Sequence, residues 1–204
     1  MFEKNALGQH CILITGGATG IGFVLSQRCV ELGAKVIIAS RNEERLASVA
    51  EQLGDLVSYE VMDLRGDNVA SQIKSLYQTH HITSLVNNAA ANFLCPTEHL
   101  SINGYQAIVD TVMKGTFLVT QALAKEWLNL GVNGQVVSIG VPYAQYAGPY
   151  MAASAMAKSA LEAMTRTLSI EWANRGIRLN TVVPGYIETE GAWSRLMPPS
   201  MKNE

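Results

Sequence analysis

With 204 residues, 48% of them hydrophobic, and a formal net charge of -2, the chain can bury one sizeable core but has no basic excess with which to neutralise a nucleic-acid backbone. Its long apolar runs are strand-length or broken by polar residues, which argues against a spanning helix, and positions 1–9 lack the apolar centre of a signal peptide. One domain over 1–204 is expected, cytoplasmic and without a nucleic-acid or membrane partner, with the widely spaced Cys11, Cys29 and Cys95 as reduced thiols and no Cys or His at metal-ligand spacing.

The apolar run 11–14 predicts a buried strand. Thr15-Gly16-Gly17-Ala18-Thr19-Gly20-Ile21-Gly22 follows it directly, a glycine turn into a helix that reads as a phosphate cradle. Gly16 takes backbone angles closed to other residues, Gly20 lets the main chain approach a pyrophosphate, and Gly22 lets the helix close on the strand. The helix 21–32 is stopped by Gly33, and 35–39 reads as the second strand. Ser40 and Arg41 stand at its carboxyl end, where an acidic residue would select a ribose 2′-hydroxyl; a hydroxyl beside an arginine suits a 2′-phosphate, so the expected cofactor is NADP(H).

Asn42 caps a helix over 42–53 that Gly54 ends, and 57–61 is a third strand, with Asp63 beyond it placed to accept from an adenine amino group. Asp67 or Asn68 caps a helix to about Gln78, His80 and His81 mark that helix end, and 85–87 closes the fourth strand. Asn88-Ala89-Ala90-Ala91-Asn92 then passes the point where ligands bind in such sheets. A helical pattern over 101–130, interrupted near Gly115, leads to a strand at 135–139, a loop over 140–149, a helix over 151–174 and a sixth strand at 178–183 ended by Pro184-Gly185. Strands alternating with helices of this length predict an α/β fold, a Rossmann-type doubly wound parallel sheet with helices on both faces.

The segment 15–22, Asn87-Asn88-Ala89, Lys158 in its helix and Pro184-Gly185 after the sixth strand resemble the short-chain dehydrogenase/reductase family over nearly the whole chain. The catalytic pattern departs from that family's usual one. Ser154 stands where a Tyr precedes the Lys by four, Val141 where a Ser ends the fifth strand, and Val112 near the place of a helix Asn. The departure itself resembles the 2,4-dienoyl-CoA reductases, through Asn92-Phe93-Leu94-Cys95-Pro96, through Tyr143 with Ser154-Ala155-Met156-Ala157-Lys158, and through Gly191-Ala192-Trp193-Ser194-Arg195-Leu196.

The resemblance implies NADPH-dependent reduction of a 2,4-dienoyl-CoA to a 3-enoyl-CoA, with Asn92, Tyr143, Ser154 and Lys158 as the catalytic set. It implies further cofactor contacts at Thr19, Ile21, Asn88, Pro184, Gly185 and Ile187, and acyl-CoA contacts at Arg65, Phe93, Ser101 and Arg195. Two other readings stay open. One is a short-chain reductase of a ketone or 3-ketoacyl substrate with Tyr143 or Tyr150 as proton donor; the other is a noncatalytic NADP-binding subunit. Family members normally continue with a further helix and a seventh strand. Six strands are therefore expected here, with helices 115–130 and 151–174 pairing in a homodimer or homotetramer, NADPH binding largely kept and acyl-CoA reduction weak or absent.

Overall fold

The computed structural model describes residues 2–185 together with Ile187 and Thr189; Arg195 and the whole 191–196 motif lie outside the described residues. Six strands, β1 (Cys11–Thr15), β2 (Lys35–Ser40), β3 (Val57–Val61), β4 (Ser84–Asn87), β5 (Gly134–Ile139) and β6 (Ile177–Val182), pair in parallel in the order β3-β2-β1-β4-β5-β6. This is the expected doubly wound sheet. Its strand order reverses between β1 and β4, which opens a crevice at their carboxyl ends.

Every residue of β1 is buried, and so are four successive residues of β2. Such unbroken apolar runs are what a parallel sheet covered on both faces needs. Alternate side chains part to opposite faces. Cys11 and Leu13 join Ile73 and Leu76 of α3 (Val69–His80) and Leu123 and Trp127 of α5 (Thr116–Leu130). Ile12 and Ile14 join Leu46 and Val49 of α2 (Glu43–Leu53), with half-buried Phe23 and Leu25 of α1 (Gly20–Glu31) packed against them. A third cluster, Ile108, Val112, Ala153, Ala157 and Leu161, joins α4 (Ile102–Val109) to α7 (Ala152–Trp172) beside the crevice.

The local signals act as read in most places. Asn42 accepts from the Arg45 amide at 2.8 Å and so caps α2, and Gly33 and Gly54 take φ of 87° and 85° at helix ends. The cap expected from Asp67 or Asn68 is not made: Asn68 holds the N-cap place of α3 in helical backbone, with no capping bond from its side chain. The break expected near Gly115 is a π-helical stretch over Asp110–Gly115. A Cβ at Gly115 would stand 2.6 Å from Leu64 Cβ and 2.9 Å from the Leu64 carbonyl oxygen, so the helix can press on that segment only through glycine. The stretch 140–149, expected as loop, contains α6 (Tyr143–Tyr146). Pro142 presets its entry with φ -61° and accepts from the amides of Gln145 and Tyr146. Among the described residues no helix is long and apolar enough to cross a membrane.

Candidate active site

The cradle is built by fastening β1 to β4. Thr15 Oγ1 accepts from the amides of Asn88 and Ala89, both at 3.1 Å, and Asn88 Nδ2 donates to the Thr15 and Gly16 carbonyl oxygens, also at 3.1 Å. Gly16 turns between them at φ 66°, where a Cβ would lie 3.0 Å from Asn88 Nδ2 and 3.1 Å from Ala89 Cα. A Cβ on Gly22 would overlap the Gly16 carbonyl oxygen, so α1 starts at a distance from β1 that only glycine permits. Thr19, exposed at the N-cap of α1, makes no capping bond from its side chain. Gly20, at φ 51°, faces Thr189, and Ile21 behind it is half-buried. Amides at the start of a helix are the donor set that suits a pyrophosphate. The residues present therefore fit a dinucleotide.

Half-buried Ser40 ends β2 and exposed Arg41 follows it. Asp63 and Arg65, read from the sequence as separate adenine and acyl-CoA contacts, meet in one ion pair. Arg65 Nη2 lies 2.6 Å from Asp63 Oδ2, and its Nε lies 3.0 and 3.1 Å from the two carboxylate oxygens. That forked bond, chiefly, holds the Asp63 carboxyl down at about 2, and the charge of Arg41 adds to the effect.

The set expected to be catalytic converges from three segments. Asn92 comes from the turn after β4, Tyr143 from the start of α6, and Ser154 and Lys158 from consecutive turns of α7. Asn92 Nδ2 donates to Tyr143 Oη at 3.3 Å, and Tyr143 Oη lies 3.0 Å from Ser154 Oγ. Asn92 Oδ1 is buried without a hydrogen-bond partner. Lys158, 4% exposed, donates from Nζ to the Ile139 carbonyl oxygen at 2.6 Å, and burial pulls its pKa from 10.5 down to about 8. A small recess of about 10 Å³ opens beside Asn92 and Ser154, with Phe93, Leu100, Ile108, Tyr150 and Met151 among its walls. The structure thus joins a carboxamide and two hydroxyls to a partly apolar wall and a buried lysine.

Other expected residues stand further from this chain of bonds. Ser101 caps α4, its Oγ accepting from the Gly104 amide at 3.1 Å, and Phe93 lies over Gly104, where a Cβ would come within 2.7 Å of its ring. Pro184, Gly185 and Ile187 follow β6, partly or wholly exposed. Val112 is fully buried and Val141 half-buried, so neither position offers a polar group. The sequence reading missed Thr15, whose hydroxyl ties the crevice together, and the Ile139 carbonyl that receives Lys158; both lie at strand ends, where partners arrive only once β4 pairs and α7 packs. It also missed that Cys95 N–H donates to the Tyr150 carbonyl oxygen at 3.0 Å. All three cysteines are free thiols, and burial pushes those of Cys11 and Cys29 up. A further cavity of about 220 Å³ lies elsewhere, between α5 and α7.

The family model described as short chain dehydrogenase matches residues 10–197. The chain is 35% identical to a probable 2,4-dienoyl-CoA reductase, (2E)-enoyl-CoA-producing, of Bacillus subtilis (strain 168), over 95% of this chain and 77% of that protein. It is 38% identical to a probable 2,4-dienoyl-CoA reductase 3, (3E)-enoyl-CoA-producing, of Caenorhabditis elegans, over 98% of this chain and 67% of that one. Among solved structures, a short chain dehydrogenase from Bacillus anthracis superposes with a TM-score of 0.86 at 37% identity, over 90% of this chain and 77% of that one. A 3-ketoacyl-(acyl-carrier-protein) reductase from Brucella melitensis complexed with NADH gives 0.84 at 25% identity, over 91% and 78%.

Proposed function

The chain belongs to the short-chain dehydrogenase family, a family of oxidoreductases that use a nicotinamide cofactor, and from that premise we propose that it reduces a 2,4-dienoyl-CoA to a 3-enoyl-CoA with NADPH. The observation that carries the proposal is the bonded chain Asn92–Tyr143–Ser154 next to buried Lys158. Ordinary members hold their Tyr on the helix; here the hydroxyl arrives from α6, and a carboxamide stands beside it.

When bound, the cofactor supplies a hydride to C5, the far end of the diene. Electrons then shift to the thioester oxygen, and the negative charge there is met by the Tyr143 O–H and the Asn92 N–H. Each donor aimed at such an oxyanion is worth roughly 2.7 to 4 kcal/mol in the transition state. Protonation of the dienolate at C2 gives the 3-enoyl product and protonation at C4 the 2-enoyl product, so the two relatives' names differ only in this last step. Lys158 holds a positive charge against the site, where a ribose hydroxyl and the developing anion both gain from it. Ser40 and Arg41 support NADPH over NADH, since the guanidinium fork suits a 2′-phosphate.

The helices also suit self-association, as a homodimer or homotetramer. The groove between α5 and α7 is walled by Met113, Phe117, Ala160, Leu161 and Met164, with Phe117 41% exposed.

The reaction is tested by following NADPH oxidation with a 2,4-dienoyl-CoA beside a 3-ketoacyl thioester, and by identifying the product. Tyr143→Phe and Asn92→Ala are expected to lower kcat by about 100-fold or more each, as single oxyanion donors do, while NADPH affinity is kept. Turnover of the ketoacyl substrate alone, or full dienoyl-CoA reduction by Tyr143→Phe, would overturn the assignment.

A further inference from the structure

Tyr143, the hydroxyl on which the proposed reaction turns, does not stand on the long helix that carries Ser154 and Lys158. It opens α6, which is four residues long, and a single turn is not stable alone, because nucleating a helix costs more than one turn of hydrogen bonds returns. The chain leaves α6 through backbone that side chains disfavour. Ala147 sits at φ 67° and ψ 165°, a region otherwise occupied by glycine, and Tyr150 sits at φ 64°. A short helix followed by strained backbone keeps its place only if its surroundings hold it there.

Two side chains of α7 grip it. Ser159 Oγ donates to the Ala144 carbonyl oxygen at 3.1 Å, one residue after Tyr143. Gln145 Nε2 donates to Glu162, 3.3 Å from Oε1 and 3.2 Å from Oε2. Glu162 continues the row Ser154–Lys158 by one more turn, with Ser159 next to it around the helix. Its side chain is only 12% exposed, and Arg166 Nη1 approaches it at 3.7 Å from the following turn. We infer that Gln145, Ser159 and Glu162 form a brace that fixes the Tyr143 hydroxyl between Asn92 and Ser154, as positioning residues for the reduction. The inference rests on the reading of Tyr143 as the oxyanion donor. The brace supplies from outside what an ordinary member obtains by carrying its Tyr on the long helix.

The test uses the full chain, NADPH and 2,4-hexadienoyl-CoA. In the double variant Gln145→Ala with Ser159→Ala, kcat is expected to fall by about tenfold to 100-fold, the scale of a 1 Å misplacement, with the dissociation constant for NADPH within about twofold of the parent. Amide hydrogen exchange over 143–147 is expected to quicken at least about tenfold, as for a segment that opens locally. Gln145→Glu alone sets two carboxylates face to face and is expected to behave like the double variant. Adding Glu162→Gln reverses donor and acceptor, and is expected to restore both kcat and protection. Full kcat in the Gln145→Ala, Ser159→Ala variant overturns the brace as a positioning device, and so does a reversal that restores protection without kcat. If the parent chain does not reduce the dienoyl-CoA, it is the reaction that fails; exchange then decides the brace by itself, and unchanged rates over 143–147 overturn it.

Discussion

Lys158 carries one charge whose cost and use have opposite pH dependence. Its folded pKa, about 8, lies below the ordinary 10.5, so between those values the unfolded chain binds more protons than the folded one. Stability therefore rises with pH across that window and is level below it, by roughly 3 kcal/mol in all if each pKa unit is worth ~1.4 kcal/mol. Turnover should move the other way, because the site uses the charged form: kcat/KM is expected to decline above pH 8. Denaturant titrations and rate profiles from pH 7 to 10 check both. A Lys158→Met variant should show no such rise in stability, and a parent rate profile level to pH 9.5 would remove the charge from the mechanism. At the cofactor's other end, Arg41→Ala is expected to weaken NADPH by about tenfold or more while leaving NADH nearly unchanged, since a charge-assisted fork is worth about 1.5–3 kcal/mol. Equal losses for both cofactors, measured by fluorescence titration, would contradict the 2′-phosphate assignment.

Two elements depend on glycine for where they can lie. α1 reaches β1 across Gly22, and the π stretch reaches Leu64 across Gly115. In each case backbone or a Cβ lies opposite, so a methyl group cannot be absorbed by a side-chain rotation. Gly115→Ala is expected to cost about 1–3 kcal/mol in denaturant unfolding, the range for overpacking. Gly22→Ala is expected to cost dinucleotide affinity as well, because the methyl group presses on the turn that Gly16 makes. Unchanged NADPH affinity in a folded Gly22→Ala chain would separate the turn from the cofactor.

At the scale of the whole molecule, the order β3-β2-β1-β4-β5-β6 puts the crevice at the sheet's centre. It leaves β6 at an edge among the described residues, with Val182 51% exposed. The apolar groove between α5 and α7 shares no lining residue with the recess beside Asn92 and Ser154, so association there and turnover should separate. Phe117→Glu is expected to convert a dimer or tetramer into monomers in sedimentation velocity, by placing a charge where an apolar surface is covered. A parent chain that sediments as a monomer would remove this groove as an interface.

The cradle and the alternation of strands and helices were legible because they are local. Gly16, Gly20 and Gly33 mark turns by backbone freedom, and strands buried on both faces need unbroken apolar runs wherever the rest of the chain goes. Asn92, Tyr143, Ser154 and Lys158 were reached only by resemblance, since nothing in spacing joins positions 92, 143 and 154. Two facts belong to the tertiary structure alone. Tyr143 meets Asn92 and Ser154, and its one-turn helix is held by Ser159 and Glu162. A sequence carries the preferences of each backbone segment. Which donor meets which acceptor across tens of residues is settled only when the sheet and helices pack and each buried polar group must find a partner.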